Sequence, residues 1–384
     1  MQIESANIET RLVRWDGPGW PFESRNANPM DAYEDSARHD PQPPAPGAGP
    51  AERSHLFVRI RAGGLTARYG PIESYAAGVA ERLICPWLIG KDATRIVELN
   101  DRMQRLNRHA RAGLFMTAVA AVDLCLWQLR GQAEDRPAYR MLGGPTRADV
   151  PAYASMLGFA VEPARAAERA REYAAAGYAA QKWFFRFGPR HGAEGLRANV
   201  ALARAVRGAV GDEYPLMFDA FNGWDGAYAA DVCRRLEEFR PAWLEEPIPP
   251  EDLEGWKRLR AATRVPLATG EHVHARRQAL TLLAAGVVDV LQCDPDWAGG
   301  LTEMQAIIHL ASAYGVPVIP HGHTLLPALH LALAHPPDAM PMVEHLINVQ
   351  PERHALYKVP PVPDRGRFAP PRGVGLGVEI RESE

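Results

Sequence analysis

Four cysteines in 384 residues, Cys85, Cys125, Cys233 and Cys293, lie far apart, and no two form a CxxC pair. That argues against a disulfide framework and against a cysteine-built zinc site, and it fits scattered buried thiols in a reducing cytoplasm. No apolar run approaches the ~20 residues that a membrane span requires. The opening MQIESANIETRLVRWDG is charged from the start and lacks the apolar core of a signal peptide. Charge of one sign is missing too. Lys and Arg number 43 against 46 Asp and Glu, for a net charge of −3, so no global field draws nucleic acid or an anionic membrane.

What is present is ordinary globular composition, 47% hydrophobic and 23% charged, in a chain long enough for a barrel-sized domain and a smaller partner. Residues 1–15 alternate polar and apolar like an edge strand. Residues 16–52, with PQPPAPGAGPAE, are too rich in Pro, Gly and Asp to bury a core and read as a long mobile loop. HLFVRIRAGGLTARYGP reads as two strands around a Gly-Gly turn. From Tyr75 to Leu129 the apolar spacing is helical, and RAGLFMTAVAAVDLCLWQLRGQ is apolar on all sides, as a core helix is. Residues 1–149 are therefore expected to form a small α+β domain.

After LGGPTRADVPAYAS the texture changes. Eight short apolar runs alternate with amphipathic helices: 150–155, 178–184, 215–220, 242–247, 266–272, 287–294, 316–322 and 341–346. This predicts an α/β fold, a parallel (β/α) barrel over residues 150–346. The tail, 347–384, has Pro and Gly clusters and is expected to return to the first domain.

A (β/α) barrel carries its site where the strands end. The strand ends here are Lys182, Asp219, Glu245, Glu271 followed by His272, Asp294, His321 and Glu344. Asp219, Glu245 and Glu271 are spaced by 26 residues each, one βα unit per interval, which sets them at one height around the mouth. Three converging carboxylates repel unless a cation neutralises them, and all-oxygen donors favour Mg²⁺, then Mn²⁺. Separate surface ion pairs or helix caps are the alternative. Glu246 adjoins Glu245 and should point to the other face.

Asp294 and His321 end the next two strands. A carboxylate beside an imidazole fixes its tautomer and raises its pKa, which suits His321 to general acid–base work. DPD also offers Asp296 as a rival partner. Lys182 could bind a substrate carboxylate or simply neutralise the acidic mouth. Glu344, if protonated, could donate to a developing oxyanion, or it could form an ordinary ion pair. His272 is placed to face substrate hydroxyls.

The motifs MFDAFNGW, WLEEP, ATGEH, CDPDWAGGLTE and IPHGH, in this order, resemble the enolase superfamily and, within it, the mandelate racemase group. That resemblance implies a modified (β/α)7β barrel under an α+β capping domain. It also implies Mg²⁺ on Asp219, Glu245 and Glu271, with a His321–Asp294 dyad. Many members carry Lys-x-Lys on the second barrel strand. Here Lys182-Trp183-Phe184 lacks the second lysine, which disfavours a two-base racemase. The lone lysine, RFGPRHG, GEH and PHG look most like the rhamnonate dehydratase group. The resemblance implies a sugar-acid substrate such as L-rhamnonate, a 2-keto-3-deoxy product, and assembly as a homo-oligomer, dimer or octamer. Arg25 and Arg38 in the long loop are candidates for specificity contacts. An epimerase or cycloisomerase, or a non-catalytic metal-stabilised barrel, are the competing readings.

Overall fold

The computed structural model describes residues 1–15, 22–33 and 51–381. The rest of the expected long loop, including Arg38, lies outside the described residues. The chain opens with three antiparallel strands, β1 (Ile3–Trp15), β2 (Ala51–Ala62) and β3 (Leu65–Ile72), in the order β1-β2-β3. Gly63 and Gly64, both left-handed (φ +58° and +77°), make the β2–β3 turn, a conformation open to glycine at little cost.

Helix Gly113–Glu134 crosses this sheet. By length and composition it could span a membrane, but it is a core helix. Its apolar side chains are buried from Phe115 to Leu129, Cys125 Sγ donates to Val58 O, and Trp127 Nε1 reaches Thr302 Oγ1 at 3.0 Å. Burying each large apolar side chain of this kind contributes roughly 1.5–3 kcal/mol.

The second part is a parallel sheet curled into a barrel. Its strands are β4 (Val150–Ser155), β5 (Ala180–Phe184), β6 (Leu216–Asp219), β7 (Trp243–Glu245), β8 (Leu267–Thr269), β9 (Val290–Leu291) and β10 (Val343–Leu346). They run in the order β10-β4-β5-β6-β7-β8-β9. The eighth expected run, 316–322, makes only a single bridge, Leu291 to Val318. Pro317 and Pro320 lack the amide hydrogens a longer ladder needs. Val318 N donates to Ala339 O at 2.8 Å and leads the chain toward β10.

Helices pack around the sheet, several started by acidic caps such as Asp225, which accepts from Tyr228 N at 2.8 Å. After β10 the chain returns to the N-terminal part. Tyr357 Oη donates to Gly70 O at 2.9 Å, and Leu376 N donates to Gln128 Oε1 at 2.7 Å.

Inside the barrel, alternation along the strands builds two layers. The lower layer is an apolar floor of Tyr153, Ala180, Met217, Trp243, Ala268, Val290 and Ile319. Two residues further along each strand, the period that returns a side chain to the same face, stand Ser155, Lys182, Asp219, Glu245, Gly270, Gln292 and His321. Glu344 follows Met342 in the same way. Every functional group of this upper layer thus stands on a dry base.

Candidate active site

Lys182 is the hub of the upper layer. Its side chain is 1% exposed, and Nζ lies 2.6 Å from Glu245 Oε1, 3.0 Å from Glu344 Oε1 and 3.1 Å from Asp219 Oδ2. Burial favours neutral lysine, but the Glu245, Glu344 and Asp219 charges outweigh it and hold the ammonium well above its usual range. Glu245 is bonded on its other oxygen by Gln292 Nε2 at 2.6 Å and Trp243 Nε1 at 3.1 Å. Asp219 and Glu245 sit directly opposite each other in the β6–β7 pairing. Glu344 accepts from the Gly322 amide at 2.9 Å. Burial raises Glu344, yet Lys182 and His321 bring its carboxyl down to about 2. Its two oxygens face Lys182 Nζ and the Gly322 amide, the ion-pair arrangement that the sequence also allowed.

Glu271 lies past the end of β8, beyond Gly270. At Gly270 (φ +149°) a Cβ would stand 2.4 Å from the backbone nitrogen of Gln292, so the GEH motif needs glycine for β8 to pass β9. Glu271 Oε2 lies 3.6 Å from His321 Nε2. His321 Nδ1 lies 2.6 Å from Asp294 Oδ2. A carboxylate can only accept, so it holds the proton on Nδ1 and turns Nε2 toward Glu271 and the mouth. Asp296, the rival partner, is engaged instead by Tyr69 Oη at 2.5 Å. The buried imidazole loses solvation, but Glu271, Asp294 and Glu344 together push it up to about 10.

Glu246 takes a left-handed backbone (φ +41°), as do Phe221 and Asn222 beside it (φ +53° and +55°). Such outliers cluster where the surrounding structure holds a site in place. Glu246 accepts from Asn222 Nδ2 at 2.5 Å and Thr269 Oγ1 at 3.1 Å, and lies 3.0 Å from His272 Nδ1. His272 is half-exposed. Burial pulls it down, and Glu246 and Glu271 carry it up to about 9.

The donor set fits a hard divalent ion. Asp219, Glu245, Glu246, Glu271 and Glu344 are all buried, against one lysine and two histidines. Burial first, then mutual repulsion, pushes Asp219 up to about 6 and Glu271 up to about 7, the mark of carboxylates short of positive charge. Among the described residues, the ligand atoms of Glu246, Glu271 and His272 all come within 4.8 Å of one another. That set shares Glu271 with the Asp219–Glu245–Glu271 set expected from sequence, while Asp219 and Glu245 turn to Lys182.

The description "Mandelate racemase / muconate lactonizing enzyme, N-terminal domain" matches residues 49–143, and "Enolase C-terminal domain-like" matches residues 165–384. The chain belongs to the enolase superfamily, mandelate racemase group. L-Rhamnonate dehydratase from Saccharopolyspora erythraea is 33% identical over 338 residues, 85% of this chain and 83% of its own. D-Galactarolactone cycloisomerase from Agrobacterium fabrum is 32% identical over 346 residues, 85% and 89% of the two chains. The structure of rhamnonate dehydratase from Gibberella zeae complexed with Mg matches with a TM-score of 0.83 at 25% identity, over 99% of this chain and 94% of that one.

The antiparallel sheet reaches the edge of the site at Tyr69 of β3, whose hydroxyl donates to Asp296. Sequence reasoning missed Ser155 and Gln292, which the two-residue period from Tyr153 and Val290 would have found. It also missed Trp297, whose ring stacks on His321 with centroids 4.8 Å apart and planes 27° apart. Arg25 turns its guanidinium to Asp31. The segment around it still covers the barrel: Glu23 N donates to Gly158 O and Ala27 N to Phe185 O, both at 2.7 Å.

Proposed function

We propose that this protein is a Mg²⁺-dependent dehydratase of a sugar acid, an aldonate such as L-rhamnonate, giving a 2-keto-3-deoxy acid. The observation that carries the reading is the His321–Asp294 pair at 2.6 Å, with Nε2 turned to Glu271 at the edge of a buried carboxylate cluster. The dehydratases among its relatives give the reaction class.

In this proposal Asp219, Glu245 and Glu271 hold the ion, with Glu246 and His272 as the rival set. Mn²⁺ is the second choice. When bound, the ion supplies charge that acidifies the C2 proton, and it offsets the carboxylates that otherwise keep His321 protonated. His321 Nε2 takes the C2 proton, and Asp294 keeps the imidazole oriented and its tautomer fixed. The same imidazolium returns a proton to the departing 3-hydroxyl, which requires both groups on one face. Lys182 faces the negative charge that grows on the substrate carboxylate. Glu344 keeps Lys182 charged, and His272 meets substrate hydroxyls.

On the other face β5 offers Phe184, whose buried ring centroid is 5.2 Å from Lys182 Nζ. A side chain that cannot accept a proton favours elimination over two-base racemisation. The cycloisomerase relative keeps a proton-transfer isomerase as the second reading.

The proposal extends to a capping domain over residues 1–149, a catalytic barrel over 150–346 and a returning tail over 347–384. It also covers a dimeric or octameric assembly and a cytoplasmic location, with which four free, buried cysteines are consistent. The test is a screen of purified protein with Mg²⁺ against aldonates and aldarates, reading 2-keto acid with semicarbazide. A hit lost on adding EDTA supports the proposal and names the sugar. Silence across the library, with C2-proton exchange in D₂O, would replace it with an isomerase.

A further inference from the structure

The turn that follows β9 carries both Asp294 and Trp297, and its anchors come from the N-terminal part of the chain. Tyr69, on β3, is buried, and its hydroxyl donates to Asp296 Oδ1 at 2.5 Å. Burial first, then the Asp296 charge, keeps that phenol well above its usual pKa, so it remains a donor. The Asp296 amide donates to Asp294 Oδ1 at 2.7 Å. Trp297 N and Ala298 N donate to Asp294 O at 3.0 and 2.7 Å. Asn100 Nδ2 closes the turn on Gly299 O at 2.8 Å.

The motif DPD presents two carboxylates to one imidazole. Asp294 Oδ2 faces His321 Nδ1, while Asp296 is drawn the other way, to Tyr69, with its second oxygen 3.7 Å from His323 Nδ1. We infer that Tyr69 is a positioning residue for the site: by holding Asp296 it leaves Asp294 as the partner of His321 and fixes the Trp297 ring over the imidazole. The cap thereby sets the geometry of a base that stands on the barrel. Loss of the phenol hydroxyl frees a buried carboxylate within a few residues of the dyad. A carboxylate left without its donor seeks another, and His323 and His321 are the nearest imidazoles. The catalytic consequence rests on the proposed function; the placement of the imidazole proton does not.

The experiment compares Tyr69→Phe with Tyr357→Phe. The second variant removes a similar hydroxyl, bonded to Gly70 O at 2.9 Å, from the same interface. Two readouts are taken on Mg²⁺-loaded protein. One is the low-field proton NMR signal of His321 Nδ1–H, assigned by its absence in His321→Asn. The other is kcat and KM on the sugar acid found by the screen. Tyr69→Phe should shift or broaden the signal and lower kcat at least ~10-fold, since small misplacements of reacting groups cost that much or more, with KM within about twofold. Tyr357→Phe should change neither. The double variant Tyr69→Phe/Asp296→Asn, which removes the competing charge, should return the signal toward the wild-type position. An unchanged signal and kcat in Tyr69→Phe overturn the inference. If the wild type turns over no sugar acid, the dehydratase reading fails, and the NMR signal still decides the role of Tyr69. Should Tyr69→Phe not fold, the double variant must show the wild-type signal, and its absence there overturns the inference.

Discussion

Lys182 and Glu344 meet in the barrel interior, Nζ to Oε1 at 3.0 Å, with side chains 1% and 0% exposed. They come from strands on either side of β4, and the same ammonium also holds Asp219 and Glu245. One cation thus neutralises the centre of a five-carboxylate cluster.

Lys182→Met keeps the length of the side chain and removes that charge. Breaking a buried pair from one side costs about 3–5 kcal/mol, and three carboxylates lose their partner here. Denaturant unfolding should show a loss of that order in EDTA and a smaller one in Mg²⁺, because the ion replaces part of the missing charge. Equal losses in the two buffers would mean that no divalent ion reaches this cluster.

The two candidate ligand sets share Glu271 and differ in Asp219 and Glu245 against Glu246 and His272. Titration of the apo protein with Mn²⁺, followed by electron paramagnetic resonance, separates them. Glu245→Gln and Glu271→Gln are expected to weaken binding by more than the ~10–100-fold typical of outer-shell changes. Glu246→Gln should stay at or below that range. A larger loss from Glu246→Gln than from Glu245→Gln, with Glu271→Gln still binding weakly, would assign the ion to Glu246, Glu271 and His272.

Gly322, in the PHG motif, gives its amide to Glu344 Oε2, and a Cβ there would stand 2.7 Å from Glu344 O and 3.1 Å from its Cβ. Gly322→Ala must push β10 from the His321 segment. A stability loss of about 1–3 kcal/mol is expected, as for other overpacked positions, together with reduced turnover. Wild-type stability would show that the strand end yields freely.

Several histidines are buried neutral. His330 accepts from Tyr139 N at 3.1 Å through Nδ1, and burial pushes it down to about 4; His354 is pushed down to about 4 in the same way. At these two histidines the folded state therefore binds fewer protons than the unfolded chain between pH 6.5 and 4, whereas the raised Asp219 and Glu271 act in the opposite sense. The contribution of these histidines to stability should fall as pH drops through that window and level off below it, by up to about 1.4 kcal/mol per unit for His330. Unfolding by urea at pH 7, 6 and 5 measures the slope. His330→Asn, which cannot charge, should flatten it, and an unchanged slope would remove His330 from the account.

Much of this architecture could be read from the sequence because the barrel repeats one pattern. Seven strand ends carried ionisable residues at regular spacing, and an ionisable group in a barrel interior has few uses other than a site. The pairing choices were not legible. Asp294 and Asp296 are two residues apart on one turn, and the bond that sets Asp296 apart comes from Tyr69, 227 residues away. Glu246 was placed on the far face by strand alternation, but β7 ends at Glu245 and the left-handed backbone at Glu246 turns its carboxylate to His272. The pairing of Glu344 with Lys182 is a contact no local pattern encodes. Arg25 was singled out for its loop position, and one contact of its guanidinium is with Asp31, six residues away.

The central claim is that His321 removes the C2 proton of a sugar acid when the carboxylate cluster holds Mg²⁺. The direct measurement is turnover of the sugar acid identified by the screen, with wild type and His321→Asn side by side, each in Mg²⁺ and in EDTA. The account expects His321→Asn to fold and bind Mg²⁺ as the wild type does, while kcat falls at least ~100-fold and C2-proton exchange in D₂O disappears. Wild-type turnover in His321→Asn, or turnover indifferent to EDTA, would contradict it.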